Sequence, residues 1–188
     1  LEFVPIAEES DLITQIDQWV LREATRQLGL WQKQIPESQR LIVSVNASAR
    51  MIRNPSLPQL VGELIEDHDI RSDRLALEIT ETVLVAGTST VKTVMNELHE
   101  LGIWLALDDF GTGFSSLSYL DEFPLDSLKI DRSFIENLAV ADPQGSAIAD
   151  AIIQIGKALS MTVVAEAVSS ETQLQMVRDL GCQLAQGN

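Results

Sequence analysis

The feature that most constrains the fold is the alternation of short apolar runs with longer helical patterns, repeated about six times along the chain. The apolar runs are continuous, so both faces of the strands they predict should be buried. Such strands, separated by helices, are typical of a parallel sheet covered by helices. The pattern therefore predicts an α/β fold, either a barrel or an open doubly wound sheet. The predicted strands cover residues 41–45, 75–80, 103–107, 127–130, 161–165 and 182–185, and the predicted helices cover residues 11–34, 59–68, 89–101, 143–159 and 171–180.

The composition narrows the class of protein. The chain has 188 residues and a formal net charge of −15, and its single cysteine is Cys182. One cysteine excludes an internal disulfide, and the acidity argues against binding to a nucleic-acid polymer. A local phosphate site is compatible with this charge if a cation lies between the two anions. No apolar run reaches the roughly 18 residues of a membrane span. Because the chain starts at Leu1 and stops just after an apolar stretch, we expect one domain over residues 1–188, truncated at both ends.

Every predicted strand contains a polar residue or is followed directly by one. In a parallel barrel the carboxyl ends of the strands converge on one face, where catalytic groups gather, whereas in an open sheet they lie along a line. The absence of a glycine-rich phosphate turn after the first strand also favours the barrel. These residues, spaced by about one βα unit, are Asn46, Glu78, Asp108 with Asp109, Lys129 with Asp131, Glu166, and Gln186.

Most of these side chains offer oxygen atoms, and none of them is a histidine or a cysteine. Oxygen ligands favour Mg²⁺ or Mn²⁺ over zinc. The adjacent carboxylates of Asp108 and Asp109 can bridge two cations, which form the usual clamp for in-line phosphodiester hydrolysis. Lys129 can then hold a water or a phosphate oxygen. The alternative for any single carboxylate is a helix cap or a solvated loop charge, and it applies to Asp109 in particular.

The segment from Asp108 to Leu117 combines two carboxylates, two glycines and three hydroxyl groups. One interpretation is a plain turn between a strand and a helix. The other is a loop that carries metal ligands and can shift, because its glycines permit a tight and movable backbone.

Seven segments along the chain resemble the EAL domain, the bacterial family of cyclic di-GMP phosphodiesterases. The resemblance implies a TIM-like (β/α)8 barrel variant whose first strand is antiparallel, here lacking its N-terminal strand or strands and its C-terminal end. It also implies hydrolysis of cyclic di-GMP to linear pGpG with Mg²⁺ or Mn²⁺, as two ions. The matching segments are 4–8 (VPIAE), 44–48 (SVNAS), 77–81 (LEITE), 108–117 (DDFGTGFSSL), 128–134 (LKIDRSF), 163–166 (VVAE) and 186–187 (QG).

The resemblance assigns metal ligands by motif. Asn46, Glu78 and Asp108 match ligands of a first metal ion. Asp108 and Asp109 match ligands that serve a second ion. Asp131 resembles a further acidic position on the side of the second ion.

The resemblance also implies catalytic and substrate residues. Lys129 matches the residue that contacts the water or phosphate near the metals, and Glu166 matches the glutamate for metal binding or general-base catalysis. With Asp109 these are the expected catalytic residues. Glu81 resembles the glutamate that anchors the loop, and Gln186 a glutamine that lines the site. The loop residues expected near the substrate are Gly111, Thr112 and Gly113.

The chain departs from the family pattern in the signature, in the turn that holds Ala167 and Ser169, and at Phe114. The Glu-Ala-Leu signature, whose glutamate is a metal ligand in the family, is absent from this chain and is expected upstream of Leu1. Ser169 stands where the family usually has a glutamate, which removes one carboxylate. Ala167 replaces a glycine and would strain the turn if its φ is positive. Phe114 stands where tyrosine is common and lacks only the hydroxyl.

Three functions are compatible with these residues. The first is an active metal-dependent phosphodiesterase, and the second is a degenerate receptor that binds cyclic di-GMP without cleaving it. The third is a scaffold that signals by dimerisation, against which the intact ring of acids argues. We expect the ligand to be cyclic di-GMP and the protein to form a homodimer. We also expect fused sensory or GGDEF-type domains outside the chain. The expected location is the cytoplasm, which is compatible with a membrane anchor elsewhere in the parent protein.

Overall fold

A computed structural model describes residues 3–35, 40–85, 89–111, 120–138 and 143–188. The chain divides into two compact units, Leu1–Leu105 and Ala106–Asn188. Strand β3 (Trp104–Phe110) begins at the end of the first unit, and most of it belongs to the second. In both units parallel strands alternate with helices, as the apolar pattern predicts.

The first unit contains a parallel strand pair and the helices that pack on it. Strand β1 (Val43–Asn46) pairs with β2 (Leu75–Thr80) in a register that places Asn46 beside Glu78. A 3₁₀ turn at Ser72–Arg74 leads into β2. The helices described in this unit are α1 (Val4–Glu8), α2 (Leu12–Gln34), α3 (Ala49–Ile52), α4 (Leu57–His68), α5 (Glu81–Val85) and α6 (Ser89–Glu100).

Helices α4 and α6 form where apolar residues recur at intervals of three and four. Helix α4 buries Leu57, Val61 and Leu64 on one face, and α6 buries Val91, Val94, Met95 and Leu98. The two helices contact each other. Burying one such side chain contributes about 1.5–3 kcal/mol, so packing outweighs intrinsic helix propensity in stabilising these segments.

A buried carboxylate joins α2 to the turn after β1. Asp17 is 7% exposed, and its Oδ2 accepts a hydrogen bond of 2.5 Å from the Ser48 hydroxyl. The Ser48 oxygen also accepts a hydrogen bond from the amide of Met51 and so caps α3. Burial raises the pKa of Asp17, the hydrogen bonds from Ser48 oppose this, and the charge of Glu8 adds to it. This contact fixes the start of α3 three residues beyond Asn46.

We expect Asp17→Asn to remove a pH-dependent penalty on stability. Because the pKa of Asp17 is raised above its ordinary value of 3.8, the folded state holds this proton more tightly than the unfolded state. The free energy of unfolding of the wild type should therefore fall relative to the variant as the pH rises from about 4, and the difference should level off above the raised pKa.

Urea denaturation at several pH values measures this difference. The matched control is Asp67→Asn on the exposed face of α4, which should show no such trend. A difference between the Asp17 variant and the wild type that does not change with pH would contradict the prediction.

The second unit is a parallel sheet of β3, β4, β5 and β6 with three helices among its described residues. Each of these strands pairs with the next one along the chain. Helix α7 packs against α8, α9 and β5. The elements that follow β3 are β4 (Ser127–Ile130), α7 (Arg132–Leu138), α8 (Pro143–Ala158), β5 (Thr162–Val168), α9 (Glu171–Asp179) and β6 (Leu184–Gly187).

The structure confirms the alternating pattern and corrects some boundaries. Strands β3 and β5 continue beyond the predicted ends at residues 107 and 165, so Asp108, Asp109 and Glu166 lie within strands and do not follow them. Helices α1, α3, α5 and α7 are short and were not predicted. In the described part of the chain, none of the helices combines the length and the apolar character needed to cross a membrane.

Candidate functional site

A buried lysine ammonium lies between two carboxylates in the second unit. Lys129 on β4 is 5% exposed, and its Nζ lies 3.1 Å from Asp108 Oδ1 and 2.6 Å from Glu166 Oε1. Strand β4 is buried along its whole length, so the aliphatic stem of the lysine packs in the core while its charged end is paired. The pairing is required, because an isolated buried charge costs several kcal/mol.

A third carboxylate, that of Asp109, adjoins this pair. Asp108, Asp109 and Glu166 each contribute one carboxylate oxygen to a group in which all oxygens lie within 4.8 Å of one another. We call these three residues the carboxylate cluster. Asp109 is exposed and the other two are half-buried. The amide of Asp109 donates a 3.0 Å hydrogen bond to Asp108 Oδ1, which therefore receives both an amide and the lysine ammonium.

An irregularity in β3 brings its two aspartates together. Adjacent residues of a regular strand point to opposite faces, so Asp108 and Asp109 would normally diverge. The register between β3 and β4 shifts between Leu107 and Phe110, and Asp109 has a φ of +55°. A β-bulge of this kind re-aims the side chains beside it. The bulge accounts for two neighbouring carboxylates in one cluster.

Strand β5 has a matching irregularity around Glu166. Its register with β6 shifts between Ala165 and Val168, and Ala167 has a φ of +53°. The left-handed conformation costs an alanine roughly 1–2 kcal/mol, because its Cβ approaches the carbonyl oxygen. The replacement of the family's glycine by Ala167 therefore strains the turn directly after Glu166.

We expect Ala167→Gly to raise the free energy of unfolding by about 0.5–1 kcal/mol, because glycine adopts positive φ without the Cβ clash. Chemical denaturation measures the change. Ala151→Gly on the exposed face of α8 is the matched control, and there the same substitution should lower stability by about 1 kcal/mol. A decrease at both positions would contradict the strain at Ala167.

The chemistry of the carboxylate cluster fits a hard divalent cation. The cluster holds three carboxyl groups, and one ammonium pairs with two of them, so negative charge is in excess and the donors are all oxygen atoms. Mg²⁺ and Mn²⁺ take such ligands, and a cation relieves the repulsion among the carboxylates. The cluster contains no histidine or cysteine, which the softer metals prefer.

Two further predicted ligands belong to the first unit. Asn46 ends β1 and is the register partner of Glu78 on β2. The amide of Ala47 donates a 2.8 Å hydrogen bond to the carbonyl oxygen of Glu78, which extends this pairing. Asn46 is exposed and Glu78 is half-buried. Their roles as metal ligands stay predictions.

Asp131 caps a helix in this structure. Its Oδ1 accepts hydrogen bonds from the amide of Ser133 at 3.0 Å and from the Ser133 hydroxyl at 2.5 Å, at the start of α7. The carboxylate cluster found in the described residues does not include Asp131. The helix-cap interpretation considered for single carboxylates therefore applies to Asp131, and its role as a ligand stays a prediction.

Glu81, the predicted loop anchor, is a buried carboxylate at the start of α5. It is 7% exposed, and neither carboxylate oxygen has a hydrogen-bond partner among the described residues. The loop that it was predicted to anchor lies mostly outside those residues. Its anchoring role stays a prediction.

The start of the Asp108–Leu117 loop requires a glycine. Gly111 has a φ of +100°, and a Cβ added there would lie 2.7 Å from Phe134 Cε2. Both the backbone conformation and the close approach of the phenylalanine ring therefore exclude a side chain. Thr112, Gly113 and Phe114 lie outside the described residues.

Gln186 and Ser169 line the same cavity of about 300 Å³ beside the start of α9. Gln186 is exposed on β6, and Ser169 follows the bulge of β5. Because both residues line this cavity, Gln186, which was predicted to line the site, and Ser169, which replaces the family's glutamate, lie on one surface of the second unit.

Gln173 on α9 is a residue that the sequence reasoning missed. It is 4% exposed, and its Oε1 accepts hydrogen bonds from the amide of Ser169 at 2.8 Å and from the Ser169 hydroxyl at 3.1 Å. One feature of the sequence could have indicated it: Gln173 is a polar residue four positions before Val177, on the buried face of a helix. Such a side chain requires a buried partner.

Comparison with known proteins identifies the family. The model of the EAL domain family matches residues 1–188. The chain is 40% identical over 185 residues to "Cyclic di-GMP phosphodiesterase NbdA" of Pseudomonas aeruginosa, covering 98% of the chain and 23% of that protein. It is 38% identical over 186 residues to "Bifunctional diguanylate cyclase/cyclic di-GMP phosphodiesterase MucR" of the same organism, covering 99% of the chain and 27% of that protein. The chain spans about a quarter of the length of these curated relatives.

The solved structures support the same assignment. The structure "PaMucR Phosphodiesterase, c-di-GMP complex" matches with a TM-score of 0.91 and 38% identity, over 99% of this chain and 74% of that one. The chain therefore belongs to the EAL domain family. This likeness confirms the predicted fold class, an α/β fold of the TIM-like barrel type.

Proposed function

We propose that this chain is a metal-dependent phosphodiesterase domain that hydrolyses cyclic di-GMP to linear pGpG. One observation carries the proposal: the Lys129 ammonium contacts Asp108 and Glu166, and Asp109 completes a carboxylate cluster within 4.8 Å. Oxygen ligands of this kind can hold the cations that promote in-line phosphodiester hydrolysis, and a cationic side chain can stabilise the charge that develops. Relatives at 38–40% identity that are named as cyclic di-GMP phosphodiesterases support the choice of substrate.

The carboxylate cluster would hold Mg²⁺ or Mn²⁺ through Asp108, Asp109 and Glu166. Asn46 and Glu78 are proposed as additional ligands on the basis of the family motifs, and Asp131 as an outer acidic position. When bound, the ions supply a more acidic water and polarise one phosphodiester.

The residues of the chain then manage the protons and the developing charge. Glu166 accepts the proton of the attacking water as its oxygen forms a bond to phosphorus and the bond to the 3′-oxygen breaks. The Lys129 ammonium, 2.6 Å from Glu166 Oε1, donates hydrogen bonds toward the negative charge that grows on the phosphoryl oxygens. The leaving 3′-oxygen takes up a proton from solvent and Glu166 releases its proton to solvent, which balances the reaction and gives pGpG.

We expect Asp108→Asn to lower kcat for cyclic di-GMP about 100-fold or more, because the change removes a charged ligand and a partner of Lys129. Chromatography of pGpG formed in the presence of Mn²⁺ measures this, with EDTA added in parallel to remove the metal. The exposed Asp121 supplies the control variant Asp121→Asn, which should retain activity. Undiminished cleavage by Asp108→Asn, or cleavage in excess EDTA, would refute the proposal.

The second candidate function is a receptor that binds cyclic di-GMP without cleaving it. Ser169 favours this candidate, because it supplies a hydroxyl where the family usually has a carboxylate. That hydroxyl donates to Gln173 Oε1 and lines the cavity shared with Gln186.

Ser169→Glu distinguishes the two candidates. We expect the wild type to form pGpG and the variant to gain turnover by up to about 10-fold, because it restores a carboxylate. Ser169→Gln has the same length without the charge and should show no gain. Binding of cyclic di-GMP, titrated alongside, completes the test. Tight binding by a wild type that forms no pGpG, with turnover only in Ser169→Glu, would establish the receptor instead.

The proposed partner is cyclic di-GMP, and the structure titled "PaMucR Phosphodiesterase, c-di-GMP complex" supports this choice. The homodimer, the fused sensory or GGDEF-type domains and the cytoplasmic location stay predictions. The assays above use the protein in its natural full length.

A further inference from the structure

The segment that carries Glu166 is held in place from outside its own strand. Glu166 is followed by Ala167 in the left-handed conformation, and the register of β5 with β6 slips across this point. A strained backbone of this kind persists only where surrounding contacts over-determine it. The contacts that hold the bulge therefore also determine where the Glu166 carboxylate lies.

One of these contacts comes from β6. Val168 pairs with Gly187, and the carbonyl oxygen of Val168 accepts a 3.1 Å hydrogen bond from the amide of Asn188. A Cβ added at Gly187 would overlap the Val168 carbonyl. The backbone of β6 thus lies directly against the bulge and leaves no room for it to relax toward β6.

The other contact is the side chain of Gln173 on α9. Its Oε1 accepts hydrogen bonds from both the amide and the hydroxyl of Ser169, at 2.8 and 3.1 Å. Its Nε2 lies 3.4 Å from the carbonyl oxygen of Ile135 on α7, as a donor to it. The backbone amide of Gln173 donates the N-cap hydrogen bond of α9 to the Ser170 hydroxyl oxygen at 3.2 Å. One buried side-chain amide thus ties the residue that ends the bulge to two helices.

A primary amide suits this position better than other side chains of similar size. It combines an acceptor for Ser169 with a donor for Ile135, and both functions are used in a place that is 4% exposed. An apolar side chain would remove both the acceptor of the part-buried Ser169 amide and the donor to the buried Ile135 carbonyl oxygen. The turn after Glu166 would then lose its tie to α7 and α9.

We propose that Gln173 is a positioning residue that orients Glu166 toward Lys129 and the carboxylate cluster. The link runs from Gln173 to Ser169, and through the strained turn at Ala167 to Glu166. The consequence for hydrolysis rests on the proposed function. The consequence for the position of the Glu166 carboxylate does not depend on that function, because the ion pair with Lys129 exists in the chain itself.

Gln173→Met tests the proposal by removing all three side-chain hydrogen bonds of Gln173 at nearly constant volume. Crystal structures of the metal-free protein provide the first readout. We expect the distance between Lys129 Nζ and Glu166 Oε1, which is 2.6 Å in the wild type, to increase beyond hydrogen-bonding range in the variant. The affinity for Mn²⁺, measured by calorimetry, should fall about 10-fold, and kcat should fall about 10- to 100-fold with KM changed far less.

Two further variants separate positioning from a general loss of structure. Gln173→Glu keeps an oxygen that accepts from Ser169 but loses the donor to Ile135 and buries a carboxyl group, so it should recover part of the metal affinity and of kcat that Gln173→Met loses. Gln175→Met makes the same substitution on the exposed face of α9, where the glutamine side chain contacts only Asp179 among the contacts described for it. It should leave all readouts unchanged.

An unchanged Glu166 position in Gln173→Met would overturn the proposal. So would equal losses in Gln173→Met and Gln173→Glu that follow a common loss of stability, because these indicate a purely structural role. If the wild type neither binds Mn²⁺ nor forms pGpG, the proposed function fails. In that case the metal-free structures still decide whether Gln173 positions Glu166.

Discussion

The buried ammonium of Lys129 is the interaction on which the candidate site depends. It lies in a strand that is buried at every residue, and it contacts carboxylates that come from the strands on either side. Burial fixes the position of the charge, and the charge in turn requires partners within reach. The regular pairing of β4 with its neighbours meets this requirement for Asp108 and Glu166, and the bulge of β3 brings Asp109 into the same cluster at the cost of a left-handed residue. The strain of the strands and the electrostatics of the site are thus two parts of one arrangement.

The sequence was sufficient for the fold class and for the main elements. Continuous apolar runs predicted buried parallel strands, and β2 and β4 have the predicted bounds. The spacing of polar residues along the chain also predicted that Asp108, Asp109, Lys129 and Glu166 belong together, and the second unit brings them together. This prediction worked because the carboxyl ends of parallel strands lie at a common edge, so that order along the chain translates into proximity.

The irregular features could not be predicted from hydrophobic pattern. The apolar run of β3 stops at Leu107, so the strand was predicted to end there, although its backbone pairing continues through the aspartates to Phe110. Helices of four to seven residues, such as α3 and α7, are too short to show a helical period. Gln173 was not predicted because the buried face of a helix is recognised by its apolar residues, and glutamine is polar. Its partner Ser169 lies in a turn, where the sequence has no periodic pattern that would predict the contact.

The internal counter-ion at Lys129 has a consequence for how the sheet tolerates its acidic residues. Because the ammonium neutralises part of the charge of Asp108 and Glu166, the repulsion between the strands that carry them is reduced from within the chain. A cation that bound the carboxylate cluster would therefore compete with an ammonium already in place, and Lys129 would have to exchange its partners.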